Sequence, residues 1–145
     1  MGGFDGTSNC LAGKLFGLNV KGTHAHSFVC SLTSMDDIQA DKRQLDGIDF
    51  VEKCMNIQRE CGLRHTNEGE LAAFITYAIA FPKMFLALVD TYDTLGSGVP
   101  NFLIVAKALH EMGYKPLGIR LDSGDLAWLS REARQAFIAF SREHR

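Results

Sequence analysis

Two kinds of apolar segment alternate in the second half of the chain. From residue 68 onward, apolar segments of helical length alternate with short, continuous apolar runs. This pattern predicts the order helix, strand, helix, strand, helix. The predicted elements are helices at residues 66–81, 100–112 and 125–142 and strands at residues 84–89 and 117–121. Such an order is typical of parallel strands joined by crossover helices, and therefore of an α/β fold.

The first half of the chain is less regular. Its predicted elements are a helix at residues 7–17, a short strand at residues 18–23, a helix that begins near His26, and a weakly helical segment at residues 50–61. Ser8 or Asn9 is expected to cap the first helix, and Gly17 to end it. Residues 31–47 are polar and acidic and lack apolar periodicity. They predict a surface insertion.

Composition and charge exclude several classes of protein. The chain has 145 residues and a formal net charge of −2, with acidic and basic residues interspersed. It therefore lacks the concentrated positive charge that nucleic-acid binding requires. No apolar run approaches the roughly 20 residues of a membrane span, and no secretory signal is evident at the N-terminus. The four cysteines form no CxxC pair, which favours reduced thiols over zinc ligands. We expect a soluble, cytoplasmic protein.

Polar side chains follow both predicted strands of the second half. Asp90 follows the first strand, and Asp122 follows the second. The carboxyl ends of parallel strands are where ligands bind in such folds. Arg120 and Asp122 lie on one face of their strand, and a cation beside an anion suits a phosphorylated sugar. The alternatives are a purely internal salt bridge for this pair and capping of the following loop by Asp90.

A third polar segment has the sequence GTHAHS, residues 22–27. Gly22 permits a tight turn, and Thr23 and Ser27 supply hydroxyl groups. From these residues alone, a structural or exposed role for His24 and for His26 is favoured over a catalytic one. The glycine-rich residues 96–98 match no nucleotide-binding fingerprint and predict a flexible connection.

Five motifs taken together resemble the nicotinate phosphoribosyltransferase family. They are GGFDGTSN at residues 2–9, GTHAHSF at residues 22–28, LVDTY at residues 88–92, SGVPNF at residues 97–102 and RLDSGDL at residues 120–126. The resemblance covers nearly the whole chain except residues 31–47. It implies an α/β fold of the type II phosphoribosyltransferase kind, an irregular barrel with parallel strands and crossover helices. Residues 1–145 would be a fragment of that catalytic barrel.

The resemblance also implies a reaction. Nicotinate and phosphoribosyl pyrophosphate give nicotinate mononucleotide and pyrophosphate, coupled to ATP hydrolysis, as an entry step to NAD. Mg²⁺ is the implied cofactor, ATP a cosubstrate, and a homodimer the implied assembly. Missing from the chain would be an N-terminal domain and the later loops that bind the 5′-phosphate. Two alternatives remain: a nicotinamide phosphoribosyltransferase, and an inactive fragment that only associates with a full-length enzyme.

Site residues follow from the same resemblance. The motif designates His26 as the transiently phosphorylated residue and places His24 at a variable position. Asp90 matches the carboxylate partner of that histidine, so we expect the two within hydrogen-bonding reach. Arg120 is expected to face nicotinate or a phosphate, and Asp122 the ribose hydroxyls. The remaining residues expected at the substrate site are Gly22, Thr23, Ser27 and Ser123.

Overall fold

The computed structural model describes residues 3–144, so Gly2 at the start of the glycine-rich motif lies outside the described residues. The helices are α1 (Cys10–Phe16), α2 (His26–Val29), α3 (Phe50–Glu60), α4 (Glu68–Ala80), α5 (Val99–Glu111) and α6 (Leu126–Glu143). The strands are β1 (Gln44–Leu45), β2 (Ile48–Asp49), β3 (Leu86–Leu88) and β4 (Gly118–Arg120). Within residues 3–144, no helix is both long and apolar enough to cross a membrane.

Short polar side chains begin the helices where the sequence predicts. The side chain of Asn9 accepts a hydrogen bond from the backbone of Ala12 at the start of α1. Asn67 begins α4 in the same way, and Asp125 begins α6. These side chains satisfy backbone N–H groups that have no partner inside the helix. Gly17 ends α1 with a φ of 63°, a conformation that glycine adopts without steric cost.

The apolar core lies among α3, α4 and α5 and the strand β3. Helix α4 packs against both α3 and α5. It is apolar over most of its surface because it is enclosed on several sides. The largest fully buried apolar side chains are Phe50, Phe74, Phe85, Leu71, Ile75, Leu88, Ile104 and Leu109.

The strands β3 and β4 pair in parallel, with Leu88 opposite Arg120. Helix α5 connects them, so the predicted helix–strand alternation is confirmed. Strand β3 is shorter than the predicted strand at residues 84–89, because Pro82–Met84 form a single 3₁₀ turn and Met84 is exposed. The sheets described within residues 3–144 have two strands each, which establishes α/β character without a closed barrel.

The strand predicted at residues 18–23 is wrong. In this segment only Val20 forms a β-bridge, and it is a single parallel bridge to Thr7. A β-carbon added at Gly13 would lie 2.2 Å from Cγ2 of Val20, so Val20 packs directly on α1. The segment is thus held by one helix and one bridge, rather than by a sheet that would extend it.

Residues 31–47 are mostly exposed but are anchored in the core. Met35, Ile38 and Leu45 are buried in the main apolar cluster. The segment ends in the hairpin β1–β2, whose turn residues Asp46 and Gly47 have φ values of 52° and 80°. An Asp-Gly turn of this kind matches the twist of two antiparallel strands. A solvated loop alone therefore does not describe these residues.

The flexible connection predicted at residues 96–98 is wrong. Thr94–Gly98 form a π-helical turn directly before α5, and the side chain of Asp93 accepts a hydrogen bond from Gly96 at its start. A β-carbon at Gly98 would lie 1.9 Å from the carbonyl oxygen of Val89. Glycine is therefore required by close packing on the end of β3, not by flexibility.

A buried polar cluster joins this turn to α4. The Glu70 side chain is fully buried, and its Oε2 accepts hydrogen bonds from Ser97 Oγ at 2.6 Å and Asn101 Nδ2 at 3.0 Å. Ser97 Oγ in turn accepts a hydrogen bond from Asn67 N. Burial raises the pKa of Glu70, while the hydrogen bonds from Ser97 and Asn101 oppose that change.

Candidate active site

The predicted site residues meet where β3 and β4 end. Asp90 lies two residues beyond β3, and Asp122 two residues beyond β4. His26, the first residue of α2, reaches the same place from the other end of the chain. The carboxyl ends of two parallel strands thus bring together residues that are far apart in sequence.

The ring of His26 has a different partner on each nitrogen. Nδ1 lies 3.0 Å from Thr91 Oγ1, which is a hydrogen bond. Nε2 lies 3.9 Å from Asp90 Oδ1 and 3.8 Å from Asp122 Oδ2. The side chain is 41% exposed, so a ligand can reach it.

The predicted hydrogen bond between Asp90 and His26 is therefore corrected. The two side chains do lie at the same end of the sheet, but 3.9 Å is an electrostatic contact rather than a hydrogen bond. Thr91 orients the ring instead. Thr91 stands inside the LVDTY motif at residues 88–92, but the motif alone does not identify Thr91 as the hydrogen-bond partner of His26.

Asp90 is buried and is held by two hydrogen bonds. Its side chain is 1% exposed, and Oδ2 accepts hydrogen bonds from Asp122 N at 2.8 Å and Ser123 Oγ at 2.7 Å. Burial by itself would raise the pKa of Asp90, but the hydrogen bonds from Ser123 and Asp122 and the nearby His26 outweigh it and lower the pKa. Asp90 Oδ1 is buried without a hydrogen-bond partner in the described residues and is the oxygen nearest His26.

Arg120 connects the strand end to the GTHAHS segment. Its guanidinium donates to Thr23 Oγ1 at 3.1 Å and to Asp122 Oδ2 at 3.1 Å. The predicted proximity of Arg120 and Asp122 on one face is confirmed. Arg120 and Asp122 remain partly exposed, so the internal ion pair leaves both available to an outside group.

Gly22 and Ser27 are less closely involved. A β-carbon at Gly22 would meet open space, so packing imposes no need for glycine there. Ser27 is exposed in the first turn of α2. Their predicted contribution to substrate binding remains a prediction.

His24 differs from His26 in its burial and in its hydrogen-bond partner. It is 8% exposed, and its Nε2 accepts a hydrogen bond from Leu88 N at 3.1 Å. Burial lowers the pKa of His24, the carbonyl of Ala25 opposes this, and Arg120 and His26 add to the lowering. His24 is thus a buried, neutral ring, whereas His26 is accessible.

The arrangement places a ring nitrogen beside charged groups of both signs. An accessible imidazole faces two carboxylates, and a guanidinium lies beside one of them. Among residues 3–144, no three His, Cys, Asp or Glu side chains are grouped as a metal cage. Two carboxylates are nevertheless what Mg²⁺ needs from a protein when substrate phosphates and water supply its other ligands.

Comparison with known proteins identifies relatives over almost the whole chain. No model of a known protein family matches. Nicotinate phosphoribosyltransferase 1 of Arabidopsis thaliana is 55% identical over 157 aligned residues, covering 99% of this chain and 28% of that protein. The Caenorhabditis elegans and Homo sapiens nicotinate phosphoribosyltransferases are 46% and 44% identical, over 97% and 96% of this chain.

A solved structure supports the same relationship. The crystal structure of human nicotinic acid phosphoribosyltransferase matches with a TM-score of 0.86 and 42% identity, covering 98% of this chain and 31% of that one. The chain spans about 28% of the length of the curated relatives it matches. It is homologous to one segment of nicotinate phosphoribosyltransferases, and the family resemblance read from its motifs is confirmed.

Proposed function

We propose that this chain forms part of the active site of a nicotinate phosphoribosyltransferase. The reaction joins nicotinate to phosphoribosyl pyrophosphate, releases pyrophosphate, and is coupled to ATP hydrolysis. The observation that carries the proposal is His26, whose accessible ring faces Asp90 and Asp122 at the ends of two parallel strands. The identity of 55% to the Arabidopsis thaliana enzyme, over 99% of this chain, supports it.

His26 is proposed to accept a phosphoryl group from ATP. With its proton on Nδ1, donated to Thr91 Oγ1, the ring presents the lone pair of Nε2. Nε2 then forms a bond to the γ-phosphorus, the bond from that phosphorus to the β–γ bridging oxygen breaks, and ADP leaves. Water later attacks the same phosphorus, the bond from phosphorus to Nε2 breaks, inorganic phosphate leaves, and the neutral ring is restored.

The transfer to nicotinate is mainly a matter of placement and charge. The pyridine nitrogen bonds to C1 of the ribose while the bond from C1 to the pyrophosphate oxygen breaks. Arg120 supplies positive charge for the nicotinate carboxylate or a phosphate, and Asp122 accepts hydrogen bonds from ribose hydroxyls. Arg120 is already oriented by Thr23 before substrate binds.

Mg²⁺ belongs to the proposal as the ion that accompanies ATP and pyrophosphate. Asp90 Oδ1, buried without a hydrogen-bond partner among residues 3–144, and Asp122 are the carboxylates that would hold it. The ion would neutralise phosphate charge. The complete enzyme is proposed to be a cytoplasmic homodimer.

A chimeric enzyme tests this function. The chain replaces the homologous segment of the Arabidopsis thaliana enzyme, and nicotinate mononucleotide formation is measured with ATP and Mg²⁺. We expect activity with nicotinate, and an acid-labile label from γ-labelled ATP. His26→Asn should abolish the label, because the amide has no nucleophilic ring nitrogen.

His65→Asn is the matched control, since His65 is exposed in the turn before α4 and should leave the label unchanged. A label that persists in the His26 variant would overturn the proposed role of His26. Faster turnover of nicotinamide than of nicotinate by the chimera would favour the nicotinamide enzyme instead.

A further inference from the structure

The edge of strand β3 that faces away from β4 ends at a buried backbone group. On the paired edge, Val89 N donates to Arg120 O and Phe85 O accepts from Leu117 N. Successive N–H groups of a strand point to opposite edges, so Leu88 N–H points away from β4. Leu88 is fully buried, which leaves this N–H without access to water.

His24 satisfies this group. Its Nε2 lies 3.1 Å from Leu88 N and accepts the hydrogen bond. An unpaired buried N–H would be destabilising, so the contact has an energetic reason to persist. A side chain from residues 22–27 thereby takes the place that a neighbouring strand would occupy.

The ring of His24 is also fixed by packing. Its centroid lies 4.8 Å from that of Tyr77, 5.6 Å from Phe28 and 5.8 Å from Phe74. Helices α2 and α4 therefore hold the ring plane, while Leu88 selects which nitrogen accepts. An imidazole that accepts at Nε2 and is neutral carries its proton on Nδ1, which in His24 is buried without a hydrogen-bond partner among the described residues. Burial favours that neutral form by lowering the pKa of His24.

This contact joins the segment that carries His26 to the segment that carries Thr91, the hydrogen-bond partner of His26. His24 precedes His26 by two residues, and Leu88 precedes Thr91 by three. The pair His24–Leu88 and the pair His26–Thr91 therefore join the same two segments, one after the other. Thr23 adds a third connection, to Arg120 at the end of β4.

We infer that His24 is a positioning residue: its hydrogen bond to Leu88 N fixes residues 22–26 against β3 and so sets the His26 ring between Thr91 and Asp90. That the position of the His26 ring matters for phosphorylation rests on the proposed function. The effect of His24 on that position does not. An exposed histidine at position 24 could not act in this way. The acceptor nitrogen and the aromatic volume are both needed.

Nuclear magnetic resonance of the 145-residue chain tests the inference without any activity. In the native chain, the ¹⁵N shifts of His24 should show an unprotonated Nε2 and a protonated Nδ1. A protonated Nε2 would overturn the inference, because that nitrogen could not accept from Leu88. This measurement needs no variant and stands even if a variant fails to fold.

Two substitutions separate the acceptor from the ring. His24→Phe keeps aromatic volume and removes the acceptor, so amide exchange at Leu88 should accelerate about tenfold, as expected for one lost hydrogen bond. The His26 ring should also lose its contact with Thr91. His24→Gln supplies an amide oxygen and should restore part of the protection. His110→Phe and His110→Gln, on the exposed end of α5, serve as controls and should change neither reading.

Unchanged Leu88 exchange or an unchanged His26 environment in the folded Phe variant would contradict the inference. In the chimeric enzyme, the Phe variant should lower the rate of ATP-dependent labelling at least tenfold, with partial recovery in the Gln variant. An inactive chimera would count against the proposed function, and the resonance data on the native chain would still decide the role of His24.

Discussion

Individual residues at this site are specified to different degrees by the sequence. The motifs point directly to His26, Asp90 and Arg120, and these residues meet as expected at one end of the β3–β4 pair. The exact partners are not evident from sequence. Thr91 lies 3.0 Å from Nδ1 of His26 and Asp90 lies 3.9 Å from Nε2, and this geometry is set by packing and has no signature in residue order.

Glu70 gives a prediction about stability and pH. It is fully buried, and burial raises its pKa, so the folded protein binds this proton more tightly than the unfolded chain. Its contribution to stability is complete below the unfolded pKa near 4.5 and is lost as the pH rises through the folded-state pKa. Glu70→Gln keeps the shape of the side chain and removes its charge. At pH 7 we expect the free energy of unfolding of the variant to be between that of the native chain and about 1 kcal/mol above it.

Urea denaturation at pH 4.5 and pH 7 measures this difference. The gap between the variant and the native chain should widen toward pH 7. Glu70→Ala is the comparison, because it leaves Ser97 and Asn101 without their shared acceptor and should cost about 1–3 kcal/mol at both pH values. A Gln variant that is much less stable than the native chain at pH 7 would show that the ionised carboxylate is required.

At the scale of elements, helices follow closely from the sequence because their ends carry local signals. Asn9, Asn67 and Asp125 cap helices through their own side chains, and these contacts span three residues. Strands and turns depend on neighbours distant in sequence. Residues 18–23 have a suitable pattern but no adjoining strand beyond one bridge, and residues 96–98 look flexible only if their contact with Val89 is unknown.

Gly98 gives the prediction at this scale. An added β-carbon would lie 1.9 Å from the carbonyl oxygen of Val89, so the π-helical turn and the end of β3 must separate. Gly98→Ala should therefore lower the free energy of unfolding by about 1–3 kcal/mol. Gly22→Ala is the matched control, because a β-carbon there meets open space and should change stability by less than about 0.5 kcal/mol.

Thermal and urea unfolding of both variants measure the two effects. Because Val89 directly precedes Asp90, the Gly98 variant should also shift the resonances of Asp90 and Thr91. Equal stability of the two alanine variants would mean that the turn can move away from Val89 at little cost.

At the scale of the whole molecule, the sequence pattern predicts the alternation of strands and helices and the family, but not the closure of a barrel. Parallel strands and crossover helices follow from periodicity, and the family follows from several short motifs that agree in order. Closure of a barrel cannot be derived from two parallel strands, since closure depends on how further strands tilt and register. The chain matches about 28% of the length of its Arabidopsis thaliana relative.

We predict that a protein consisting of residues 1–145 forms no measurable nicotinate mononucleotide. A substrate with a 5′-phosphate, a ribose and a pyrophosphate needs groups from several strand ends, and residues 3–144 provide the ends of β3 and β4. The chimeric enzyme, assayed beside it with the same ATP and Mg²⁺, is the positive control. Turnover by the 145-residue protein at a rate near that of the chimera would refute this prediction.

The hydrogen bonds that build the site also determine the order in which it can form. His24 meets Leu88 across 64 residues, His26 meets Thr91 across 65, and Thr23 meets Arg120 across 97. Closing such long loops costs chain entropy before any contact compensates, whereas α4 packs on α5, the next α-helix along the chain. We therefore predict that α4 and α5 associate early in folding and that the surroundings of His26 are assembled late. Under mild denaturation we expect the same contacts to open first, so the surroundings of His26 should be lost while most helices persist.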